Sequence, residues 1–399
     1  MTHSAERLVK ERLRQEGAIP FRDFMEMALY ARGSGYYTSG QPGLDYYTSP
    51  ATHPAFGSLV GLQLDQVWRA LGCPSPFTVV EMGSGRGLLA RDILSSPFHP
   101  PSLKATRYVL LERGRVATPV SDSTEAVTGQ GVPLKSVVGC FLANELWDAF
   151  PVHRVTTTGG RLREAYVALE GDRLVEVYDE PSTPDLQAYL DEYDITLAEG
   201  QRTEVNLEMV RHVGEVARSL KQGVFVSVDY GYTEAERVSR NKGSLRCFYR
   251  HTVHSDPYVH VGEQDITSSV DFGVAMKAAE KADLTILGLV PQGLFLKNLG
   301  LDVLLQRLPA AGLSPSEYNA EAMALRELSR PGELGDFRVL IMGKGVEGLS
   351  LDCLKADNAI RRALLSRPDL PLPRLRSAHA AVLAARYPHL AWTPPEDGE

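Results

Sequence analysis

Between Thr78 and Leu88 the chain reads as a β-branched run closed by Glu81 and Met82, then Gly83-Ser84-Gly85-Arg86-Gly87, with glycine at alternate positions. A glycine-rich turn between a strand and a helix lets a ligand come close to the backbone, with the helix N-terminus behind it. A dinucleotide fingerprint needs G-x-G-x-x-G, and Leu88 stands where its third glycine belongs; a phosphate-binding P-loop needs Gly-Lys-Ser or Gly-Lys-Thr, and neither follows. Glu112 comes directly after the next apolar run, Tyr108 to Leu111, where an acid can accept hydrogen bonds from the two hydroxyls of a ribose. The bland alternative is a tight turn beside a surface acid. The order of loop and then acid favours a ligand.

Three further acids follow apolar runs: Glu145 and Asp148 after the run ending at Leu142, and Asp229 after the run ending at Val228. Acids on loops at the C-terminal ends of strands are where chemistry collects in an α/β sheet. Asp148 reads equally as a residue that starts a turn or helix. Asp229 reads equally as a strand-end acid bonded to the Tyr230-Gly231 turn. His251, His254 and His260 cluster in a polar stretch, but their spacing matches no zinc pattern and no cysteine set accompanies them, so no metal is expected. Gly35-Tyr36-Tyr37 and Asp45-Tyr46-Tyr47-Thr48 lie in a breaker-rich stretch expected to be a loop. Its tyrosine faces could close over a cationic ligand through cation–π attraction, or could simply pack.

The elements that must hold these residues are legible as an alternation. Apolar residues from Phe56 to Leu71 recur at helical spacing. The strand runs Thr78–Glu81, Tyr108–Leu111 and Val137–Leu142 alternate with helical stretches, and Val224–Val228, Leu284–Val290 and Phe337–Met342 continue the series, which predicts a parallel sheet covered on both faces. Val152–Thr158, Arg161–Leu169 and Arg173–Tyr178 read instead as short antiparallel strands, with a helix from about Glu204. Together with the polar region Thr233–Ser268 they are the candidate substrate-binding insertion.

At this point the sequence resembles the MidA-like family of class I S-adenosylmethionine-dependent methyltransferases, whose mitochondrial members are complex I assembly factors that methylate a protein arginine. The resemblance rests on Gly35-Tyr36-Tyr37, Tyr47-Thr48-Ser49-Pro50, Glu81 to Gly87, Asn144 to Val152, Asp229-Tyr230-Gly231, Asp265-Ile266-Thr267 with Val270-Asp271-Phe272, and Gln292 to Gly300, in order over most of the chain. It departs after Glu112, where Arg113-Gly114-Arg115 replaces the serine common in the family. The resemblance implies a Rossmann-like class I sheet carrying an inserted α+β substrate-binding region and an N-terminal helical cap. The implied divisions are 1–75 for N-terminal helices and Tyr-rich lid, 76–345 for the methyltransferase domain with insertions at about 152–222 and 233–268, and 346–399 for a C-terminal extension. It also implies S-adenosyl-L-methionine bound by Glu81, Gly83, Ser84, Gly85, Gly87, Glu112 and Asn144, with Tyr47 and Thr48 beside them.

The implied acceptor is a protein arginine, a respiratory complex I subunit being the first candidate. A guanidinium keeps its proton at any physiological pH, so a carboxylate must grip and align it beside the cationic methyl donor. Glu145 is the first choice for that acid, with Asp229 or Asp148 as helper. A small-molecule O- or N-methyltransferase, and a cofactor-binding assembly factor without turnover, remain open.

The whole-chain quantities agree with a soluble enzyme. With 43% hydrophobic and 23% charged residues and no apolar run near the ~20 residues of a membrane span, a core is affordable and a transmembrane helix is not expected. A net charge of −8 argues against a nucleic-acid partner. A homo-oligomer stays open. The four cysteines form no CxxC pair and read as reduced thiols, and Glu6, Glu11 and Glu16 near the start are wrong for a transit peptide, so a cytoplasmic location is expected.

Overall fold

The strand series forms one seven-stranded sheet: β1 Phe77–Met82, β2 Thr106–Glu112, β3 Thr124–Thr128, β4 Val137–Asn144, β5 Leu220–Asp229, β6 Thr285–Pro291 and β7 Arg338–Lys344. The computed structural model describes residues 4–39, 47–114, 119, 121, 123–237, 240–250 and 252–379. The spatial order is β3-β2-β1-β4-β5-β7-β6. Strands β1 to β5 pair in parallel, whereas β7 runs antiparallel to both β5 and β6. That reversal is the departure from the all-parallel expectation. All six residues of β1 are buried, as a strand covered on both faces requires.

The chain divides into two units. The sheet belongs to the unit made of residues 47–145, 216–230 and 283–399; the other is made of 1–46, 146–215 and 231–282. In the sheet unit, helix Ala55–Ala70 lays Phe56, Leu59, Val60, Leu64 and Val67 into a core shared with Val79, Tyr108, Leu142, Val226, Leu296 and Ile341. Burying each large apolar side chain contributes roughly 1.5–3 kcal/mol before the entropy of ordering it is counted.

The other unit begins with helix Ala5–Glu16, for which Ser4 accepts from the Arg7 N–H as N-cap and Gly17 ends the helix. Its Ala5, Val9 and Leu13 fall four residues apart, on one face, and are buried with Phe21, Phe24 and Met25 of helix Phe21–Tyr30. These helices pack against a five-stranded sheet that contains His153–Thr158, Arg161–Glu170 and Arg173–Asp179, paired antiparallel as expected. The helix read from about Glu204 starts at Leu207, because Arg202–Val205 is a strand pairing with His153–Thr158. Arg246–Tyr249, Thr252–His254 and Asp265–Thr267 make a three-stranded sheet in the same unit. Asp45, Tyr46, Arg115, His251 and the end of the chain after 379 lie outside the described residues.

Candidate functional site

The register of the sheet unit brings four strand ends level. Met82 pairs with Leu111 on one side and Ala143 on the other, and Asn144 pairs with Val228. The next residues, Gly83, Glu112, Glu145 and Asp229, therefore come to one edge of the sheet, the carboxyl edge where α/β sheets bind ligands.

The glycine loop turns through positive φ at Gly83 (+68°), Gly85 (+54°) and Gly87 (+71°), a region that L side chains rarely occupy. Gly83 N–H donates to Leu111 O at 2.9 Å and Gly87 N–H to Ser84 O at 2.8 Å, which closes the turn onto helix Leu88–Leu94. Gly85 N–H donates to Glu112 Oε1, so the acid after β2 is tied to the loop. A Cβ on Gly85 would meet nothing within 4 Å, which leaves open space against the backbone there. Burial raises the Glu112 carboxyl above its ordinary value, partly offset by the Gly85 and Arg113 N–H groups. Glu81 is buried, accepts from Tyr108 Oη–H at 2.7 Å and from the Ala90 N–H, and is pushed up to about 8, chiefly by desolvation. Its carboxyl group thus links β1, β2 and the helix behind the loop.

Two buried polar atoms at this edge, Ser84 Oγ and Asn144 Oδ1, have no hydrogen-bond partner among the described residues. Buried polar groups are almost always paired, so the pair fits a ligand that carries its own polar groups. Together with the open side of Gly85 and a carboxylate at the end of β2, they fit a ribose and an amino-acid moiety.

Glu145 is held in an unusual way. Its φ is +51°, uncommon for a residue with a side chain and a sign of functional constraint when the surroundings fix it. The surroundings do so here. Glu145 N–H donates to Val228 O at 2.8 Å, and its Oε1 accepts from Asn144 Nδ2 at 2.9 Å and from Ser49 N–H at 3.3 Å. Ser49 opens the short helix Ser49–Thr52, capped by Thr48, and its Oγ donates to the buried Gln292 Oε1 at 2.8 Å. Tyr47 and Thr48, both half-buried, lead into this turn. Asp229 is fully buried and its Oδ1 accepts from Tyr230 N–H at 2.9 Å.

The residues brought to one edge are therefore Gly83 to Gly87, Glu112, Asn144, Glu145, Asp229 and the Thr48-Ser49 turn. Asp148 belongs to the other unit, where it is buried and its carbonyl accepts from Ser268 N–H at 2.9 Å. Tyr36 and Tyr37 are also in that unit: Tyr36 is buried, and Tyr37 stacks on Tyr30 at 5.4 Å and donates to Asp265 Oδ1 at 2.8 Å. His260 stacks on Tyr249 at 3.8 Å, and His254 Nδ1 accepts from Asp256 N–H at 3.3 Å. No group of described His, Cys, Asp and Glu residues could hold a metal ion. Sequence reading missed Ser49, Gln292 and Tyr108 as residues that hold the site. The one signal for Tyr108 was a hydroxyl inside an aliphatic strand.

The Methyltransf_28 family model, described as "Putative S-adenosyl-L-methionine-dependent methyltransferase", matches residues 59–290. The chain is similar to the Drosophila melanogaster "Protein arginine methyltransferase NDUFAF7 homolog, mitochondrial", 30% identical over 86% of both chains. It is 28% identical to the Rattus norvegicus protein arginine methyltransferase NDUFAF7, mitochondrial, over 82% of this chain and 80% of the relative. A crystal structure of a COG1565 superfamily member from Burkholderia thailandensis bound to S-adenosyl-homocysteine superposes with a TM-score of 0.73 at 27% identity, covering 89% of this chain and 95% of that one. The fold is accordingly a mixed α/β methyltransferase fold.

One expectation is overturned by these findings. The relatives are named as mitochondrial proteins, which contradicts the cytoplasmic location read from cysteine usage. The described cysteines are all free thiols, and free thiols report a reducing environment without saying which one. No helix among the described residues is long and apolar enough to cross a membrane. Since the family model covers more than half of the sequence, the chain belongs to the Methyltransf_28 family and is an S-adenosyl-L-methionine-dependent methyltransferase.

Proposed function

We propose that the acceptor is an arginine of a partner protein and that Glu145 grips its guanidinium. S-adenosyl-L-methionine supplies a methyl group made electrophilic by its sulfonium. The chain must then hold a nitrogen in line with that carbon in a dry site, because an in-line displacement needs alignment more than acid–base help. A guanidinium cannot be deprotonated in advance, so a carboxylate that binds it bidentately would align one nitrogen and offset a second positive charge. As the N–C bond forms the C–S bond breaks, the neutral thioether leaves, and the proton lost by that nitrogen passes to the carboxylate and on to solvent.

The observation that carries this reading is Glu145 at φ +51°, with Oε1 braced by Asn144 and Ser49. A carboxylate whose backbone and Oε1 are both braced is held in one orientation, which is what aligning a nucleophile requires. Asp229, at the end of β5 on the same edge as Glu145, is one candidate helper, and Asp148 is the other. The names of the relatives support arginine as the acceptor. Under this reading Glu112 accepts from the ribose. Gly83, Ser84, Gly85, Gly87 and Asn144 line the cofactor, Glu81 shapes the loop from behind, and Tyr47 and Thr48 flank it.

The strand order, with β1 to β5 parallel and one reversed strand, supports a Rossmann-like class I scaffold. Residues 1–75 would then supply helices and lid, 152–222 and 233–268 the substrate-binding insertion, and 346–399 an extension. A respiratory complex I subunit is the acceptor to try first. The test is incubation of the chain in a cell lysate with cofactor carrying a labelled methyl. Label in protein supports the reading, label in small molecules contradicts it, and no transfer at all points to a cofactor-binding partner without turnover.

A further inference from the structure

The unit that holds the antiparallel sheet contains a pocket of about 270 Å³ that the proposed chemistry does not use. Its walls come from residues 194–197 and 201–204 and from Tyr232, Glu234, Arg237, Arg240, Gly243 and Ser244. Six of its lining side chains are charged, and most of that charge is already answered within the protein. Arg237 is bound through two nitrogens to Asp271, at 2.7 and 2.9 Å. Asp194 and Glu234 share Lys277, each at 3.3 Å. Glu204 accepts from Ser244 N–H at 2.7 Å and Ser244 Oγ–H at 2.9 Å. Arg202 lies 3.8 Å from Glu176 and over the Tyr178 ring.

Arg240 is the remainder. It has no acid partner among the described residues, and its guanidinium lies 4.5 Å from the centroid of the buried Tyr232 ring. Both pocket walls fix its backbone: Arg240 N–H donates to Arg237 O at 3.0 Å, and Arg240 O accepts from Gln201 Nε2 at 3.1 Å. Stacking on an aromatic face holds the plane of a guanidinium while leaving its N–H edge for a carboxylate, the partner whose geometry it matches best.

We propose that this pocket is a carboxylate-recognition site in which Arg240 takes an acidic side chain of the acceptor protein. The inference rests on the reading that the acceptor is a protein. A space of this size admits a side chain and not a folded element, so the pocket selects among acceptor proteins by an acidic side chain.

The test is binding without turnover, on the full chain with cofactor. Fluorescent decapeptides carrying one arginine and, at each other position in turn, Glu or Gln are titrated by anisotropy, and free N-acetylglutamate is the competitor. The tightest Glu peptide is expected to bind about tenfold more tightly than its Gln twin, as one charge-assisted contact implies. Arg240→Ala should abolish that preference with cofactor affinity intact, Arg240→Lys should keep part of it, and Arg211→Ala, at an exposed arginine, should keep all of it. Equal binding of the twins, or a preference that survives Arg240→Ala, overturns the site. N-acetylglutamate competing as tightly as the peptide assigns the pocket to a free carboxylate and overturns the protein-recognition role. Label entering protein arginine without any Glu preference removes this site alone. A Glu preference with label only in small molecules removes the arginine reading instead.

Discussion

Two carboxylates at the cofactor edge do different work, and their environments show why. Glu112 ends β2 and receives the Gly85 N–H, so it steadies the loop, and in the proposed reading it also accepts from the cofactor ribose. Glu112→Ala should weaken S-adenosyl-L-methionine binding by about 1–3 kcal/mol by calorimetry, the range expected when charge-assisted bonds are lost. Unchanged affinity would remove the ribose role. Glu81 faces inward. Desolvation raises it from 4.5 to about 8, so between those values the folded chain keeps a proton that the unfolded chain has released. Its contribution to stability is fully present below about pH 4.5 and is lost as pH rises through about 8. In Glu81→Gln the fall in melting temperature across that window should be shallower than in the wild type. Parallel pH profiles would mean that Glu81 is ionised throughout.

At the scale of elements, the parts legible in sequence were those whose physics is local. The glycine spacing marked the loop, and helical periodicity marked Ala55–Ala70, which begins one residue before the predicted start. The direction of β7 was not legible, because a strand buried on both faces reads as the same apolar run in either direction. Strand β3, Thr124–Thr128, escaped notice because an edge strand with mixed burial shows neither alternation nor a continuous apolar run. The strain at Glu145 was equally hidden, since its φ is imposed by bonds to Val228 and Ser49 that are remote in sequence. Gly139 shows the same dependence on a neighbour strand. Its φ is +150°, and a Cβ there would run into the Thr78 backbone of β1. Gly139→Ala should destabilise the fold by more than about 1 kcal/mol, up to about 3, in denaturant unfolding, as overpacking with backbone displacement does. A wild-type midpoint would show that β1 and β4 can separate freely there.

At the scale of the molecule, the chain passes between its two units at 46/47, 145/146, 215/216, 230/231 and 282/283. No single-sequence pattern announces such crossings, because each is set by long-range packing. The sheet unit also gathers its last described segment onto its core through Glu321. That buried carboxylate accepts from His53 Nε2 at 2.7 Å, Arg374 Nε at 2.7 Å and Leu375 N–H at 3.0 Å. Although burial opposes ionisation, these partners hold its carboxyl below the ordinary value, so its stabilisation is lost as pH falls through that lowered value. Glu321→Ala should cost about 3–5 kcal/mol, because three donors lose their acceptor at once, and the melting temperature should fall accordingly. A change under about 1 kcal/mol would mean the network is solvated rather than buried.

The arginine reading stands on Glu145, and a single comparison decides it: the rate of methyl transfer into arginine of the acceptor protein by wild type and by Glu145→Gln, read by mass spectrometry of the product beside calorimetric cofactor affinity. Glutamine keeps the size of the side chain and removes the charge. The rate into arginine should fall by about 10²–10³, the usual loss when one electrostatic contact to a reacting centre is removed, while cofactor affinity stays at the wild-type value. A wild-type rate in Glu145→Gln, or a wild-type product methylated on a hydroxyl or carboxyl group instead of a guanidinium, would contradict it.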